Sequence, residues 1–277
     1  MPAARHIAAL CLALLLATPT SAQTTDFTAW TLLEGPPDPD LSGVVAPDGT
    51  TATLSATGSI NAMTDIGFAS INGQDVASSN RGFYFDPNES FAIAVDYEIE
   101  IISTPTTSTV FRIGFGIGED INGTDGAGVA VGVSATFPTP SLFFTGSASA
   151  RTDDEVVSDP TVLASTGAVG SLQLAYDAAT GNITVDSGPD LPPPDPTDPF
   201  AIDSSFTLSG LQNSWDNEGL IVSFFLNGVG VGFEDGDVEA TFSNFRILEG
   251  TPIAIPEPAA LTLLAAAAGL ALTRRRA

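Results

Sequence analysis

The sequence predicts an all-β protein, an antiparallel β-sandwich flanked by an N-terminal signal helix and a short C-terminal transmembrane helix. Between Asp26 and Glu249, no stretch carries apolar residues at the spacing of an amphipathic helix. Short alternating or apolar runs rich in Val, Ile, Phe and Thr recur instead, separated by Gly, Pro, Asn and Asp. Many short strands with turn residues between them are typical of a sandwich or a barrel.

The predicted strands are distributed along the whole central part of the chain. Each is a short run with strand-forming residues and a turn signal at one or both ends. In chain order they cover 27–33, 51–56, 81–85, 90–102, 109–117, 127–137, 141–147, 171–176, 182–186, 206–208, 220–227 and 237–248.

The strand predicted over 90–102 has the clearest alternation. Successive side chains on a strand point to opposite faces of the sheet. One face would carry the apolar residues Phe91, Ile93, Val95, Tyr97, Ile99 and Ile101. The other would carry Ala92, Ala94, Asp96, Glu98 and Glu100, so three carboxylates share one face.

Two further features sharpen the all-β prediction. A hairpin is predicted where the run 172–176 is followed by a turn that ends on Gly181, a residue that adopts a positive φ at little cost. In the last strand, Val238, Ala240 and Phe242 would face the core. Phe245 and Ile247 would do so as well after a β-bulge, which restores the alternation.

The domain organisation follows from the composition of three segments. Residues 1–22 are predicted to be a signal peptide, 23–250 the β-sandwich domain and 251–277 a sorting signal with a transmembrane helix over 259–273. The segment 188–199 is rich in proline, which lacks the N–H that a central strand needs. We interpret it as an extended loop inside one domain; a linker between two domains is the alternative.

The N-terminus has the order of a secretory signal: Arg5, then an apolar run over 7–17, then the small residues Thr20, Ser21 and Ala22. The apolar run is too short to span a bilayer, so we expect cleavage between Ala22 and Gln23. A buried N-terminal helix is the alternative. Signal peptidase and the export machinery are therefore expected partners.

Cleavage would remove chemistry along with the segment. The single cysteine, Cys11, and the single histidine, His6, lie within it, and the chain has no lysine. The mature chain would then lack a disulfide, a Ser-His-Asp triad, a thiolate nucleophile, a His or Cys zinc site and a P-loop lysine.

The chain is strongly acidic, with 33 Asp and Glu residues, 8 basic residues and a formal net charge of −25. Four arginines, Arg5 and Arg274 to Arg276, lie in the end segments, so the central domain is even more acidic. Such a surface repels nucleic acids and anionic lipid headgroups. It suits either cation binding or solubility alone.

At the C-terminus, Pro256-Glu257-Pro258 is followed by an uncharged apolar segment and then by Arg274, Arg275 and Arg276. An apolar helix of about 15 residues rises about 22 Å, less than the hydrocarbon core of a bilayer. The arginines would remain on the cytoplasmic side and the domain would lie outside. An ordinary tail anchor is the alternative reading.

These three parts, in this order, resemble the PEP-CTERM sorting signal of Gram-negative bacteria. The resemblance covers roughly the last two dozen residues. It implies recognition by an exosortase, cleavage near Pro256-Glu257-Pro258 after transient anchoring, and delivery to the cell surface or extracellular matrix. It also implies an association with exopolysaccharide and biofilm.

The central domain resembles the concanavalin A-like and laminin-G-like jelly rolls. The resemblance rests on the patterns over 90–102, 176–181, 220–226 and 242–247. It implies carbohydrate binding or a structural role in adhesion, and for some members glycoside hydrolysis.

Hydrolysis has one candidate site, the shared face of Asp96, Glu98 and Glu100. A two-residue step along a strand is roughly 6.6 Å, which is within the separation that a pair of catalytic carboxylates requires. One family of sandwich glucanases carries its carboxylates on such a strand, but with Glu first and Asp in the middle. A solvent-facing acidic stripe explains the same residues without catalysis.

Calcium is the one cofactor that the sequence suggests. The segment 119–126 is dense in oxygen donors, with Asp120, Asn122 and Asp125 as candidate ligands, and 234–237 is a second candidate. The spacing is not that of an EF-hand, and Asp- and Gly-rich hairpin turns have the same composition.

Two hypotheses about function remain open at this point. The first is an exported, non-catalytic β-sandwich that binds or organises matrix polysaccharide. The second is a secreted glycoside hydrolase that uses Asp96, Glu98 and Glu100.

Overall fold

A computed structural model of the chain describes residues 23–24, 26–34, 40–60, 65–103, 109–121, 125–136, 141–152, 155–162, 167–188, 206–208, 215, 219–229 and 233–255. The predicted signal peptide, the Pro-rich loop from residue 189 onward and the segment from Pro256 to the C-terminus lie outside these residues. Within them, no helix is long and apolar enough to cross a membrane.

The described residues form strands in the order β1 (Gln23–Thr24), β2 (Thr31–Glu34), β3 (Leu41–Val45), β4 (Thr51–Ile60), β5 (Asp65–Ala69), β6 (Gly82–Tyr84), β7 (Phe91–Ser103), β8 (Thr109–Gly118), β9 (Gly126–Thr136), β10 (Ser141–Thr152), β11 (Glu155–Val162), β12 (Val169–Asp177), β13 (Asn182–Gly188), β14 (Phe206–Leu208), β15 (Ile221–Val229), β16 (Phe233–Glu249) and β17 (Ile253–Ile255). A single 3-10 turn, Phe27–Ala29, precedes β2. The prediction of an all-β protein is confirmed.

Two antiparallel sheets pack face to face. The first sheet has the order β14-β13-β12-β7-β16-β4-β3, with β1 alongside the end of β16. The second has the order β11-β10-β9-β8-β15-β5-β2, and β17 pairs with β6 in a small separate sheet. Residues that alternate along the facing strands fill the space between the sheets. The architecture is therefore an antiparallel sandwich.

Aromatic side chains fill the centre of the core. Trp30 contacts Phe83, Phe224 and Phe245, with ring centroids 4.9–5.7 Å apart. All four residues are buried. These rings come from both sheets and from β6, so they join the layers; edge and tilted contacts of this kind add about 1 kcal/mol each beyond area burial.

Both local predictions for the first sheet are confirmed. The β12–β13 hairpin turns through Gly181, whose φ is +68°, and its register runs from Asp177↔Asn182 to Ser171↔Gly188. In β16 the register with β7 shifts between Ser243 and Arg246, where Asn244 adopts a φ of +54°. This bulge keeps Phe242 and Phe245 both in the core.

Several segments differ from the predicted strands. The strand predicted over 27–33 begins only at Thr31, because Asp26 accepts a hydrogen bond from the Thr28 N–H at 3.0 Å and caps a 3-10 turn. The segment 234–237, by composition either a second calcium site or a hairpin turn, lies within β16, where the register with β4 is irregular between Phe233 and Gly236. The sequence did not predict β1, β3, β5, β11 or β17; β11 contains Pro160, which an edge strand tolerates.

Candidate functional site

The outer face of the second sheet is lined mainly by small side chains. On β8, β9 and β10, many of the residues that alternate with the core positions are glycine, alanine or serine, although Arg112 and Thr145 occupy positions on the same face. We call the small residues the small-residue floor: Gly114, Gly116, Gly128, Ala130, Gly132, Ser147 and Ser149. Their core-facing neighbours, such as Phe115 and Val129, are buried. The floor spans three strands and carries little side-chain volume; Gly128, Ala130 and Gly132 are partly exposed, whereas Gly114 and Gly116 are buried.

Close approach of the strands accounts for the glycines in the middle of this floor. Gly116 on β8 and Gly128 on β9 are register partners. A Cβ on Gly116 would lie 2.7 Å from the Ala127 carbonyl oxygen, and one on Gly128 would lie 2.7 Å from the Phe115 carbonyl oxygen. Backbone cannot yield as a flexible side chain does, so only glycine fits at these positions.

An aromatic ring lies at one side of the floor. Phe225 on β15 is the register partner of Gly114 on β8, and it points to the outer face because Phe224 and Leu226 on either side are in the core. A methyl group built on Gly114 would overlap the Cζ, Cε1 and Cε2 atoms of the Phe225 ring. The ring therefore lies across the Gly114 backbone, and it remains partly exposed.

The next register pair along the same two strands is polar. Arg112 on β8 and Asn227 on β15 are partners, and the Arg112 Nε donates a hydrogen bond to Asn227 Oδ1 at 2.9 Å. Because arginine has no acceptor, this contact fixes which end of the amide is oxygen. The Asn227 Nδ2 group and the Arg112 terminal nitrogens donate to no acceptor among the described residues.

A separate layer covers the other end of this outer face. Ala69, Ile71 and Ile221 form a second apolar cluster, against which Val76 and Tyr84 pack. The segment over 70–82 is held by its own hydrogen bonds, among them Asn80 N–H to Asn72 Oδ1 at 3.0 Å. The part of the face around Phe225 is therefore bounded on one side by a folded loop.

The three carboxylates on β7 lie on the outer face of the first sheet, as the sequence predicts, but Asp96 is engaged. Its Oδ1 accepts from Arg246 Nη2 at 2.8 Å and from the Ser171 hydroxyl, and its Oδ2 accepts from Arg246 Nη1 at 2.9 Å and Asn244 Nδ2 at 2.8 Å. Burial alone would raise the pKa of Asp96, but these hydrogen bonds and the charge of Arg246 outweigh it and hold the pKa below the usual 3.8. A general acid needs a raised pKa. The lowered pKa of Asp96 fits a charged partner of Arg246 instead.

Glu98 and Glu100 are exposed on the same face. Glu100 lies directly opposite Glu239 on β16, and Glu239 accepts a weak contact from the Ser55 hydroxyl at 3.4 Å. Like charges in register repel each other and are tolerated where water screens them. This arrangement matches an acidic, solvated sheet face.

The candidate calcium ligands are only partly described. Asp120 forms an isolated bridge with Asp75, and the Glu119 N–H donates to the Asp125 carbonyl oxygen at 3.1 Å, so the segment is folded back as a turn. Asn122 lies outside the described residues. Among the residues that are described, no group of three or more His, Cys, Asp and Glu side chains is placed to hold a metal ion. Calcium binding here stays a prediction.

The sequence reading did not single out Arg112, Gly114, Phe225 or Asn227. A signal for this face was present, because glycine, alanine or serine alternates with a bulky residue along 113–118 and 128–134. Such alternation indicates a sheet with one filled face and one bare face. The position of Phe225 over Gly114 depends on strand order and could not be read from either segment alone.

No protein-family model matches the chain, and no curated protein matches it. Solved structures give distant likenesses. The Bacillus licheniformis β-glucanase is 11% identical with a TM-score of 0.41, over 84% of this chain and 100% of that one. The alginate lyase PA1167 from Pseudomonas aeruginosa is 12% identical with a TM-score of 0.42, over 74% and 84%. The potassium-bound carbohydrate recognition domain of Emp46p is 9% identical with a TM-score of 0.42, over 83% and 94%.

Proposed function

We propose that this chain is an exported, non-catalytic carbohydrate-binding β-sandwich of the jelly-roll type. Its binding surface is the outer face of the second sheet around Phe225. The observation that carries the proposal is the partly exposed ring of Phe225 lying across Gly114 beside the small-residue floor. The proposed role is attachment to, or organisation of, a matrix polysaccharide.

Sugar rings suit such a surface for a physical reason. A pyranose presents a face of C–H groups, which the electron-rich face of an aromatic ring attracts. Stacking adds about 1 kcal/mol beyond the burial of apolar area, so a single ring gives weak binding. The three-strand floor lets a neighbouring sugar of a polymer lie close to the backbone, and repeated weak contacts along a polymer add through effective concentration.

The non-catalytic part of the proposal is supported by the β7 carboxylates. Asp96 is committed to Arg246 with a lowered pKa, and Glu98 and Glu100 lie exposed on the face of the other sheet. No observation on the described residues pairs two carboxylates as acid and nucleophile. Calcium is not required for the proposed contact, since Phe225 and the floor carry no ligand for it.

Export and sorting are proposed from the sequence. The support is the signal-peptide pattern ending at Ala22, the Pro256-Glu257-Pro258 motif and the Arg274 to Arg276 cluster. In the native host, the double substitution Pro256→Ala and Pro258→Ala should leave the protein uncleaved in the membrane fraction. If release to the medium or matrix is unchanged, an exosortase is not the partner.

The binding proposal is tested by removing the ring. In affinity electrophoresis and on glycan arrays, Phe225→Ala should weaken retention by about tenfold or more, as expected for loss of a buried aromatic contact. Ile102→Ala is the matched control, because it removes a 55% exposed apolar side chain from the other sheet. It should change nothing. The proposal is wrong if wild-type protein is retained by no glycan, or if both variants bind as the wild type does.

A further inference from the structure

The surface around Phe225 carries unused hydrogen-bond donors and a positive charge. The Arg112 terminal nitrogens and Asn227 Nδ2 have no acceptor among the described residues, while the Nε–Oδ1 contact at 2.9 Å holds the two side chains together. Asn227 is only 8% exposed. These nitrogens therefore keep donor capacity for an acceptor from outside the chain.

Arg112 and Arg81 differ from Arg246 in lacking an ion pair among the described residues. Arg246 is paired with Asp96 at 2.8 Å, and Arg81 donates only a long contact of 3.4 Å to the Thr31 hydroxyl. Arg112 has no carboxylate partner among the described residues, although the chain has a net charge of −25. Acidic groups are abundant, so a guanidinium without one of them is available for an external anion.

From these observations we propose that the sugar bound at this face carries a carboxylate, as a uronic acid residue does. The inference rests on the proposed function and names its ligand class. The carboxylate accepts from the Arg112 fork and from Asn227 Nδ2, while the ring of the same sugar stacks on Phe225. Guanidinium and carboxylate match in planar, two-point geometry, which a neutral hydroxyl does not reproduce.

The spacing of the pair and the ring fits one sugar unit. Phe225 and Asn227 are two residues apart on β15 and point the same way, roughly 6.6 Å apart along the strand. Gly114 and Arg112 are two residues apart on β8, directly opposite them. The four residues occupy the corners of a rectangle on the sheet. Phe225, which stacks on the sugar, and Arg112, which carries the charge, lie at opposite corners.

The net charge of the protein opposes a polyanion, and Asp65, the register partner of Asn227 on β5, places one acidic residue beside the proposed contact. At about 0.15 M salt the screening length is about 8 Å, so the distant carboxylates of the domain are largely masked. A hydrogen-bonded ion pair at contact is much less affected. Binding should therefore be measured at this salt concentration rather than at low salt, where the repulsion is strongest.

The test compares one polymer in two forms, with the full-length protein, at about 0.15 M salt and with EDTA to prevent calcium bridging. The probes are a polyuronate, the same polymer with its carboxyl groups reduced to alcohols, and a sulfated glycan. Wild-type protein should bind the polyuronate about tenfold or more tighter than the reduced polymer, the size expected for a hydrogen bond to a charged group. The sulfated glycan should bind no better than the reduced polymer.

Two variants assign this preference to Arg112. Arg112→Gln should bind both forms of the polymer to within about threefold of each other, whereas Arg81→Gln, the control at an exposed arginine, should retain the wild-type preference. Phe225→Ala should lose affinity for both forms.

Each failure has a distinct meaning. The proposal of a carboxylate-bearing sugar is wrong if wild-type protein binds the polyuronate and its reduced form equally. It is also wrong if Arg112→Gln retains the preference, or if the sulfated glycan binds as tightly as the polyuronate. Retention of neither form overturns the carboxylate proposal, whereas the proposed function itself is overturned only if the glycan arrays show no retention of wild-type protein by any glycan. The polymer comparison needs no variant, so it decides the question even if a substitution at Arg112 disturbs folding.

Discussion

The ring of Phe225 on β15 lies across the backbone of Gly114, its register partner on β8. A methyl group at position 114 would overlap three ring atoms, so Gly114→Ala must displace the ring without removing it. We expect this variant to weaken glycan binding nearly as much as Phe225→Ala does, with a loss of stability of about 1–3 kcal/mol from overpacking. Affinity electrophoresis and urea unfolding measure the two effects.

Gly167→Ala is the matched control for this substitution. A Cβ there would lie 3.6 Å from the nearest atom, the Val169 carbonyl oxygen, which is an ordinary contact. Its binding should equal that of the wild type. Unchanged glycan binding in Gly114→Ala would mean that the position of the ring does not matter.

A second prediction concerns stability of the first sheet. Asp96 joins β7, β12 and β16 through Ser171, Asn244 and Arg246. Asp96→Asn keeps the shape of the side chain but removes the charge that holds the arginine fork, at a cost of about 1–2 kcal/mol for a partly exposed pair. Urea unfolding should show this loss.

Glu98→Gln provides the comparison on the same strand and face, because Glu98 is exposed and belongs to no such network. Its free energy of unfolding should stay within about 0.5 kcal/mol of the wild type. Glycan binding should be unchanged in both variants. Loss of glycan binding in either variant would indicate that the binding site lies on the first sheet instead.

The third prediction is the pH dependence of the same ion pair. The pKa of Asp96 is lowered from 3.8 in the folded protein, so folding is favoured by the ionised carboxylate. This contribution is present at pH values above the ordinary pKa of 3.8 and is lost as the pH falls below 3.8 and through the lower folded pKa. Wild type and Asp96→Asn should therefore converge in stability as the pH falls through this range. A gap that widens on acidification would contradict the assigned sign.

Calcium supplies the fourth prediction. If Asp120, Asn122 and Asp125 bind it, free calcium at about 100 times the dissociation constant adds about 2.7 kcal/mol to stability. The melting temperature should then rise with calcium, and the rise should be absent in Asp120→Asn. Asp237→Asn, in the segment that lies within β16, should retain it. A melting temperature that is unchanged by millimolar calcium would contradict this prediction.

The sequence predicted what local patterns determine. Alternation over 91–101 identified the buried face of β7, Gly181 identified a hairpin, and the three-residue step from Phe242 to Phe245 identified the bulge at Asn244. It failed where local bonding or sheet position overrides the pattern, as at the turn capped by Asp26 and in β11 with its proline. The candidate site depends on β15 lying beside β8, two strands separated by more than a hundred residues in the chain, so it could not be read from sequence spacing.

The most direct test of the account maps the bound sugar onto the protein. Backbone amide shifts, followed by NMR during titration with a short glycan that the protein binds, should move at Arg112, Gly114, Phe225 and Asn227 on the outer face of the second sheet. Shifts confined to Asp96, Glu98, Glu100 and their neighbours on the first sheet would contradict the account and favour a site on the acidic face.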